Sequence, residues 1–229
     1  MVYFIISPCS KSKDDSIPIL SDFKNLTPYN YIHELSLAKE IIKIREKIFQ
    51  DPRARVGSRE TYAFNLYIRA GKAYSKVYCR YYPQLKNMLL KGEKLCWFFL
   101  SGGYGIINAL EKARKYQASF NKNLAYKNGI PYTTPLWNPI LKDACNSIFR
   151  KFEPQYVYVF GSRDYTQFIK DTERWRKKDH IKIFESIGQS GSQWIAEILF
   201  ELVGSLKEES VEDFNRKYLG DFIRQRYSL

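Results

Sequence analysis

The chain has 229 residues, 45% of them hydrophobic, and is long enough to bury a substantial core. No apolar window reaches the roughly 18 residues that a membrane helix needs, and no signal-peptide pattern opens the sequence, so neither a membrane-spanning nor a secreted protein is expected. The 37 Lys and Arg residues exceed the 24 Asp and Glu residues by 13, an excess that suits a polyanionic partner such as nucleic acid or a phosphorylated small molecule.

Four short apolar runs have the length and β-branched content of buried strands. The first lies at residues 2–6, and the others lie at residues 94–100, 156–160 and 181–185. The segments between them carry apolar residues at helical spacing. Strands that alternate with helices in this way predict a mainly parallel sheet with helices on both faces.

The predicted helices are bounded by capping signals and prolines. Thr27 and Pro28 begin a helix that extends to about residue 49. A second helix covers residues 66–82 and is expected to end before Pro83. Further helices are predicted at residues 139–152, through residues 194–202, and as an appended element from about residue 207.

No repeat, low-complexity tract or clear linker divides the sequence. Residues 1–229 are therefore predicted to form a single α/β domain with a Rossmann-like, mainly parallel sheet. The stretch from Asn108 to Asn138 is polar and aromatic and fits neither the strand nor the helix pattern well. We expect this stretch to be an insertion over one edge of the sheet.

Three of the predicted strands end in loops of similar chemistry, with the sequences SPCSKSK, SGGYG and GSRDY. Each loop supplies hydroxyl groups, and the glycines allow backbone N–H groups to approach a ligand. Because parallel strands deliver their carboxyl ends to one edge, we expect the loops to share a crevice. The alternative for each loop is an ordinary turn with a satisfied hydroxyl. The residues expected to line the crevice are Ser7, Cys9, Ser10, Lys11, Lys13, Ser101, Gly102, Tyr104, Gly105, Ser162, Asp164 and Tyr165.

The histidines and cysteines do not form a metal-binding pattern. His33 and His180 stand far apart, and the four cysteines are scattered without a C-x-x-C pair. No metal and no cofactor are therefore predicted, and reduced thiols in a cytoplasmic protein are the expectation.

The first loop offers the strongest candidates for chemistry. A lysine in a partly desolvated pocket, either Lys11 or Lys13, is a candidate nucleophile or base with a lowered pKa. Cys9 beside the two lysines is either a reactive thiolate or a buried, inert thiol. The other candidate groups are Tyr104, Asp164 and Glu185.

Four segments resemble, in order, the motifs of a known family: FIISPCSKSKDDSIP, FLSGGYGII, PLWNPILKDACNSI and VFGSRDYTQFI. They are similar to segments of the YaaA peroxide-stress family from residue 1 to about residue 190. The resemblance implies a cytoplasmic, single-domain α/β fold with a basic cleft, and DNA binding linked to oxidative stress. It points to these site residues: Ser7, Pro8, Ser101, Gly102, Tyr104, Gly105, Trp137, Ser162 and Tyr165.

The sequence departs from the YaaA pattern in two places. The family's Ala-Lys after Pro is replaced here by Cys9, Ser10 and Lys11, which leaves the position of the site lysine open between Lys11 and Lys13. The Leu-x-Gly-Ile hairpin of the family does not occur in residues 43–60. If that hairpin holds DNA, this protein binds DNA differently or not at all.

Basic residues cluster on one side of the helix predicted at residues 66–82. Its tyrosines fall on the opposite side and are expected to face the core. One interpretation is a core helix with a solvated basic back. The other is a ridge that contacts nucleic-acid phosphates, extended by the arginines of the preceding loop. The ridge comprises Arg69, Lys72, Lys76 and Arg80, and the loop adds Arg53, Arg55 and Arg59.

Two functions from different classes remain open. The first is a DNA-associated protein of the oxidative-stress or DNA-protection type, whose pocket acts on a base or nucleotide. The second is an enzyme for a small nucleotide, nucleobase or amino-acid-like substrate that uses a pocket lysine and has no direct role on DNA. The sequence specifies neither the substrate nor the oligomeric state.

Overall fold

A computed structural model describes residues 2–17, 25–92, 94–177, 180–187 and 191–224. Within these residues the strands are β1 (Tyr3–Pro8), β2 (Glu60–Tyr62), β3 (Leu95–Ser101), β4 (Gly105–Asn108), β5 (Lys112–Arg114), β6 (Tyr156–Gly161), β7 (Ile181–Glu185) and β8 (Phe222–Arg224). The helices are α1 (Pro28–Tyr31), α2 (Leu35–Gln50), α3 (Ala63–Ile68), α4 (Ser75–Lys91), α5 (Lys122–Asn128), α6 (Thr134–Phe152), α7 (Arg163–Lys170), α8 (Glu173–Arg176), α9 (Gly191–Glu208) and α10 (Val211–Lys217).

Six strands form one sheet in the order β4-β3-β1-β6-β7-β8. All neighbouring pairs are parallel except β3 and β4, which form an antiparallel hairpin. Tyr3 of β1 is opposite Leu95 on one side and Tyr156 on the other. The prediction that the four apolar runs are neighbours in one mainly parallel sheet is confirmed, and so is the α/β class.

The alternation of side chains along the strands separates two hydrophobic cores. Ile5, Phe99 and Phe160 face α3, α4, α9 and α10 on one side of the sheet. Phe4 and Val159 face α1, α2, α6 and α7 on the other side. Because both faces are covered, the central strands read in the sequence as continuous apolar runs.

The helix predicted from residue 27 to residue 49 is two helices. The first turn, α1, ends at Ile32, whose backbone is extended (φ −90°, ψ 139°), and α2 starts three residues later. The His33 N–H donates a hydrogen bond to Ser147 Oγ on α6 (2.7 Å), so the break is held by a tertiary contact. The helical spacing of apolar residues continues across this break, so the sequence predicted one helix instead of two.

The helix predicted at residues 66–82 is wrong in both its start and its end. It is replaced by α3 and α4, which are joined by a tight turn at Gly71, where a Cβ would lie 2.8 Å from Tyr67 O. Pro83 lies inside α4 and does not end it. A proline inside a helix costs about 3 kcal/mol, but α4 continues past Pro83 because its apolar face stays buried there.

The regions expected as an insertion and as an appended helix contain additional regular structure. Between Asn108 and Asn138 lie β5, which pairs antiparallel with β2, and α5. Helix α6 begins at Thr134, five residues before the predicted start, and Pro139 lies within it. After residue 207 the chain forms α10 and then β8, which adds a parallel edge strand next to β7. Residues 225–229 lie outside the described part of the chain.

Among the helices of the described residues, none is both long enough and apolar enough to cross a bilayer.

Candidate ligand-binding site at the strand ends

A pocket of about 190 Å³ lies at the carboxyl ends of β1 and β6. The chain leaves β1 for β3 on one side and later returns to β6 on the other, so the pocket lies where the strand order reverses. Open α/β sheets bind ligands at such positions. Three segments form the walls: the loop after β1, residues 116–130, and Tyr165 at the start of α7.

The loop after β1 leaves the sheet by specific backbone contacts. The Cys9 N–H donates to Leu100 O (2.7 Å), and the Tyr74 hydroxyl donates to Pro8 O. Trp97 Nε1 donates to Ser7 Oγ (2.8 Å), so Ser7 is held inside the fold and does not line the pocket. Cys9, Ser10, Lys11 and Lys13 do line it.

Lys13 is the lysine that the loop turns toward the interior. Its side chain is half-buried, and Nζ lies 4.3 Å from the ring centroid of Tyr116. Desolvation lowers the pKa of Lys13, while the neighbouring Cys9 opposes this change. Lys11 is exposed at the mouth. Among the described residues, no carboxylate forms an ion pair with either lysine, whereas nearby Lys115 is paired with Asp15 at 2.8 Å.

Tyr116 joins the pocket wall to the SGGYG loop behind it. Its hydroxyl shares a hydrogen bond with Ser101 Oγ and lies 3.2 Å from the Tyr67 hydroxyl. The Tyr104 N–H donates to the same Ser101 Oγ (3.0 Å). Burial raises the pKa of Tyr116 well above its ordinary value, and Cys9 acts in the same direction. The phenol therefore stays neutral.

The glycines of SGGYG allow close packing of protein on protein. A Cβ on Gly102 would lie 2.7 Å from the backbone of Ala118, which lines the pocket. Gly105 has φ +70°, and a Cβ there would lie 2.5 Å from the ring of Trp137. Trp137 Nε1 donates to Gly102 O (3.0 Å). Ser101, Gly102, Gly105 and Trp137 thus support the pocket from behind and are not among its lining residues.

The structure does not bring Tyr104 into this pocket. Its hydroxyl accepts a hydrogen bond from the Arg114 N–H (2.7 Å), and its ring borders a separate open groove beside Glu60. Burial raises the pKa of Tyr104 to about 12, although the Arg114 N–H and Arg45 act against that rise. A role for Tyr104 beside the pocket lysines therefore loses its geometric basis.

The GSRDY loop contributes one residue to the pocket. Tyr165 lines it, with its hydroxyl 4.0 Å from Cys9 Sγ. Asp164 instead accepts a hydrogen bond from Asn121 Nδ2 (2.8 Å), which docks the cap of α5 onto α7. Ser162 is the N-cap residue of α7 and is not a lining residue.

Glu185, a candidate base from the sequence, is occupied by ion pairs at the end of β7. Lys170 Nζ and Arg224 Nη2 each lie 2.6 Å from its carboxylate, and Thr166 donates to it as well. Burial alone would raise the pKa of Glu185, but these three hydrogen bonds together lower it to about 2. A carboxylate held in this way is a weak base.

Sequence reasoning missed the wall formed by residues 116–130. Tyr116, Ser119 and Asn128 line the pocket there, together with apolar Leu124 and Ile130. Their polar and aromatic composition marked this stretch as unusual, but no spacing rule placed it over the first loop. The pocket is therefore built from Cys9, Ser10, Lys11 and Lys13 of the first loop, from Tyr165 and from residues 116–130. The SGGYG loop lies behind it.

A second feature missed from the sequence is a buried ion pair beneath the β3–β4 hairpin. Arg45 of α2 pairs with Glu111 at 2.6 Å, and their side chains are 8% and 7% exposed. Arg45 also donates to the carbonyl oxygens of Tyr104 and Ile106, and Tyr31 bonds both partners. Every polar group is satisfied, so the pair fixes the hairpin and offers no free group for chemistry.

The prediction that Arg69, Lys72, Lys76 and Arg80 form a ridge on a single helix is wrong. Arg69 and Lys72 lie in the turn between α3 and α4, and only Lys76 and Arg80 lie on α4. Arg69 pairs with Asp14 (3.2 Å), and Lys76 lies 3.9 Å from Glu197. All four remain exposed, as do Arg53, Arg55 and Arg59 of the preceding loop, where Arg53 pairs with Asp51.

The chain matches no protein-family model, no curated protein and no solved structure. The similarity of its motifs to the YaaA family therefore stays a prediction. In the described part of the chain, His, Cys, Asp and Glu side chains form no group of three or more that could hold a metal ion.

Proposed function

We propose that the strand-end pocket is an enzyme site for a small anionic ligand of the nucleotide or phosphorylated-sugar class. The observation that carries the proposal is the charge of the wall: two lysines line the pocket, and none of the twelve described lining residues is acidic. Neither lysine is neutralised by a carboxylate in the described residues. An anion supplied by a ligand is the natural partner for such a pair.

The size and the polarity of the pocket restrict the ligand. At about 190 Å³ the pocket is smaller than the roughly 300–1,000 Å³ typical of sites for drug-sized molecules. It suits a pentose phosphate, a base or one end of a nucleotide. Hydroxyl and amide groups of Ser10, Ser119 and Asn128 offer hydrogen bonds, and the rings of Tyr116 and Tyr165 offer apolar walls.

Binding of a phosphorylated ligand tests this proposal directly. Titration calorimetry with AMP, ribose 5-phosphate and inorganic phosphate should show saturable binding of at least one of them. Lys11→Ala should weaken that binding, because a charge-assisted contact is lost. Lys39→Ala is the matched control, since Lys39 is an exposed lysine on α2 and does not line the pocket. Equal weakening by both variants, or no binding of any of the three, would contradict the proposal.

A second candidate function, association with DNA, is supported by the net charge of +13 and by the exposed cations around α4. Lys72 and Arg80 have no ion-pair partner among the described residues. If they contact phosphates, the double charge reversal Lys72→Glu/Arg80→Glu should weaken duplex binding and reduce its salt dependence by about two phosphate contacts.

The control for the DNA experiment is Lys39→Glu/Lys47→Glu on α2, which changes the net charge by the same amount. Fluorescence anisotropy with a labelled duplex, measured at several salt concentrations, gives both the affinity and the slope. Equal effects of the two double variants would reject this surface as the DNA contact. No binding at low salt would reject the partner class.

A further inference from the structure

The inner lysine of the pocket differs from its neighbours in what surrounds its nitrogen. Lys115, next to Tyr116 in the chain, and Lys170 of α7 are held by Asp15 and Glu185. The Nζ atom of Lys13 instead faces the Tyr116 ring, and both residues line the pocket. This amine lies at the wall of the cavity, and no carboxylate of the described residues holds it in its charged form.

We infer that Lys13 forms a Schiff base with the aldehyde of an open-chain phosphorylated pentose. The inference rests on the proposed function, because it assigns a reaction to the ligand class that the pocket is proposed to bind. Lys11, exposed at the mouth of the pocket, is placed to hold the phosphate, while Lys13 meets the carbonyl carbon further in.

The environment of Lys13 supports its use as a nucleophile. Desolvation lowers its pKa, which increases the fraction of neutral amine near neutral pH. The neighbouring Cys9 opposes this, and so does the Tyr116 ring, since both stabilise the ammonium form. Burial readily lowers the pKa of a lysine, which is why lysines shielded from water serve as Schiff-base residues in proteins.

The proposed step is balanced without any oxidant or reductant. The lone pair of neutral Nζ forms a bond to the aldehyde carbon, and the π electrons of the carbonyl pass to its oxygen. Nζ gives up both of its protons, and the oxygen takes up two, through exchange with water at the open mouth of the pocket. The C–O bond then breaks as the nitrogen forms a second bond to the carbon, and the oxygen leaves as one water molecule. The product is a neutral imine between Nζ and the sugar carbon, which takes up one proton when it becomes an iminium.

The size of the cavity and the groups on its wall favour a pentose. Ser10, Ser119, Asn128 and Tyr165 line the cavity with groups that can pair with sugar hydroxyls. The same aldehyde chemistry occurs in two sources, a free pentose phosphate and an abasic site in DNA. The experiment has an arm for each.

Reductive trapping tests the inference. The full chain is incubated with ribose 5-phosphate and sodium cyanoborohydride, and in parallel with a duplex that contains one abasic site. Reduction of the imine gives an adduct whose mass is that of the protein plus the sugar phosphate less one oxygen. Peptide mapping should place a single adduct on Lys13, formed at a rate that saturates with sugar concentration.

Two variants and one analogue make the outcome decisive. Lys13→Arg keeps the charge but should reduce trapping to the background of surface lysines. Lys11→Ala should still give an adduct on Lys13 but should need more sugar to saturate. Thermal melts of both variants exclude unfolding as the cause. Ribitol 5-phosphate, which has no carbonyl, measures binding alone.

The outcomes separate the two proposals. Binding of ribitol 5-phosphate without a Lys13 adduct from either aldehyde overturns the Schiff base and leaves the proposed function intact. Absence of both binding and trapping overturns both. A Lys13 adduct formed with the abasic duplex and not with the free sugar supports the imine and assigns its aldehyde to DNA. Adducts spread over surface lysines at equal rates overturn the inference.

Discussion

Removal of one charge from the Arg45–Glu111 pair should destabilise the protein strongly. In Glu111→Gln the buried guanidinium keeps its charge but loses its counter-ion, and the new amide group can turn its N–H donors toward Arg45. Breaking a buried ion pair from one side costs about 3–5 kcal/mol. We expect this loss in the free energy of unfolding because both side chains are less than 10% exposed and together fix the β3–β4 hairpin.

Urea unfolding followed by circular dichroism and tryptophan fluorescence measures this loss, provided that the m-value is unchanged. The matched control is Glu60→Gln, which removes the surface partner of Arg114 (2.9 Å; side chains 39% and 49% exposed) and should cost less than about 1 kcal/mol. If the two variants lie within 1 kcal/mol of each other, the energetic role given to the buried pair is refuted.

A double substitution separates the buried charge from the packing around it. In Arg45→Met/Glu111→Leu no unpaired charge is left, so most of the lost stability should return. The Tyr31 hydroxyl would lose its bond to Glu111 but keep the acceptor Ile106 O at 3.2 Å. The single variants Arg45→Met and Glu111→Leu are measured beside it, and a double variant as unstable as their sum would show that apolar groups cannot replace the pair.

Three other outcomes follow from the structure. Gly105→Ala should lower the free energy of unfolding by about 2–4 kcal/mol, because the strain of positive φ adds to overlap with the Trp137 ring. Gly129 also has positive φ but has open space around it, so Gly129→Ala should cost about 1 kcal/mol. Equal urea midpoints of the two variants would contradict this. The folded-state pKa of Glu185, about 2, lies below its ordinary 4.5, so its stabilising effect is complete above pH 4.5 and is lost as the pH falls toward 2. Glu185→Gln should therefore flatten the acid side of the stability curve measured by urea unfolding, and an unchanged slope would count against the ion-pair cluster. Cys145→Ser should destabilise the protein more than Cys79→Ser in the same assay, because Cys145 is fully buried and Cys79 is exposed.

The sheet could be predicted from the sequence because each central strand is buried on both faces. That environment leaves a direct trace, a short apolar run, and the helices between the runs imply parallel pairing. The helix breaks at Ile32 and Gly71 could not be predicted in this way, because the helical spacing of apolar residues continues across both of them. Pro83 misled for the opposite reason: a local stop signal was overridden by tertiary burial of the α4 face.

The candidate site was predictable in part for a related reason. Cys9, Lys13 and Tyr165 follow strands whose ends must converge, so their proximity follows from topology. Tyr116 reaches the same point from a segment whose path depends on docking contacts such as the bond between Asn121 and Asp164. No periodic pattern encodes that docking. The role of Gly102 and Gly105 could not be predicted either. A glycine lets the backbone approach a ligand or another part of the protein equally well, and here both glycines pack against protein.

The central position of β1 has a consequence for how the protein is made. Its second neighbour, β6, lies about 150 residues later in the chain, and the contact between Cys9 and Tyr165 spans 156 residues. At 5–20 residues per second a ribosome needs roughly 8–30 s to bridge that distance. During this interval one edge of β1 has no partner strand, and the pocket lacks the wall that Tyr165 provides. Lys13 is therefore synthesised well before Tyr165, which forms one wall of its pocket.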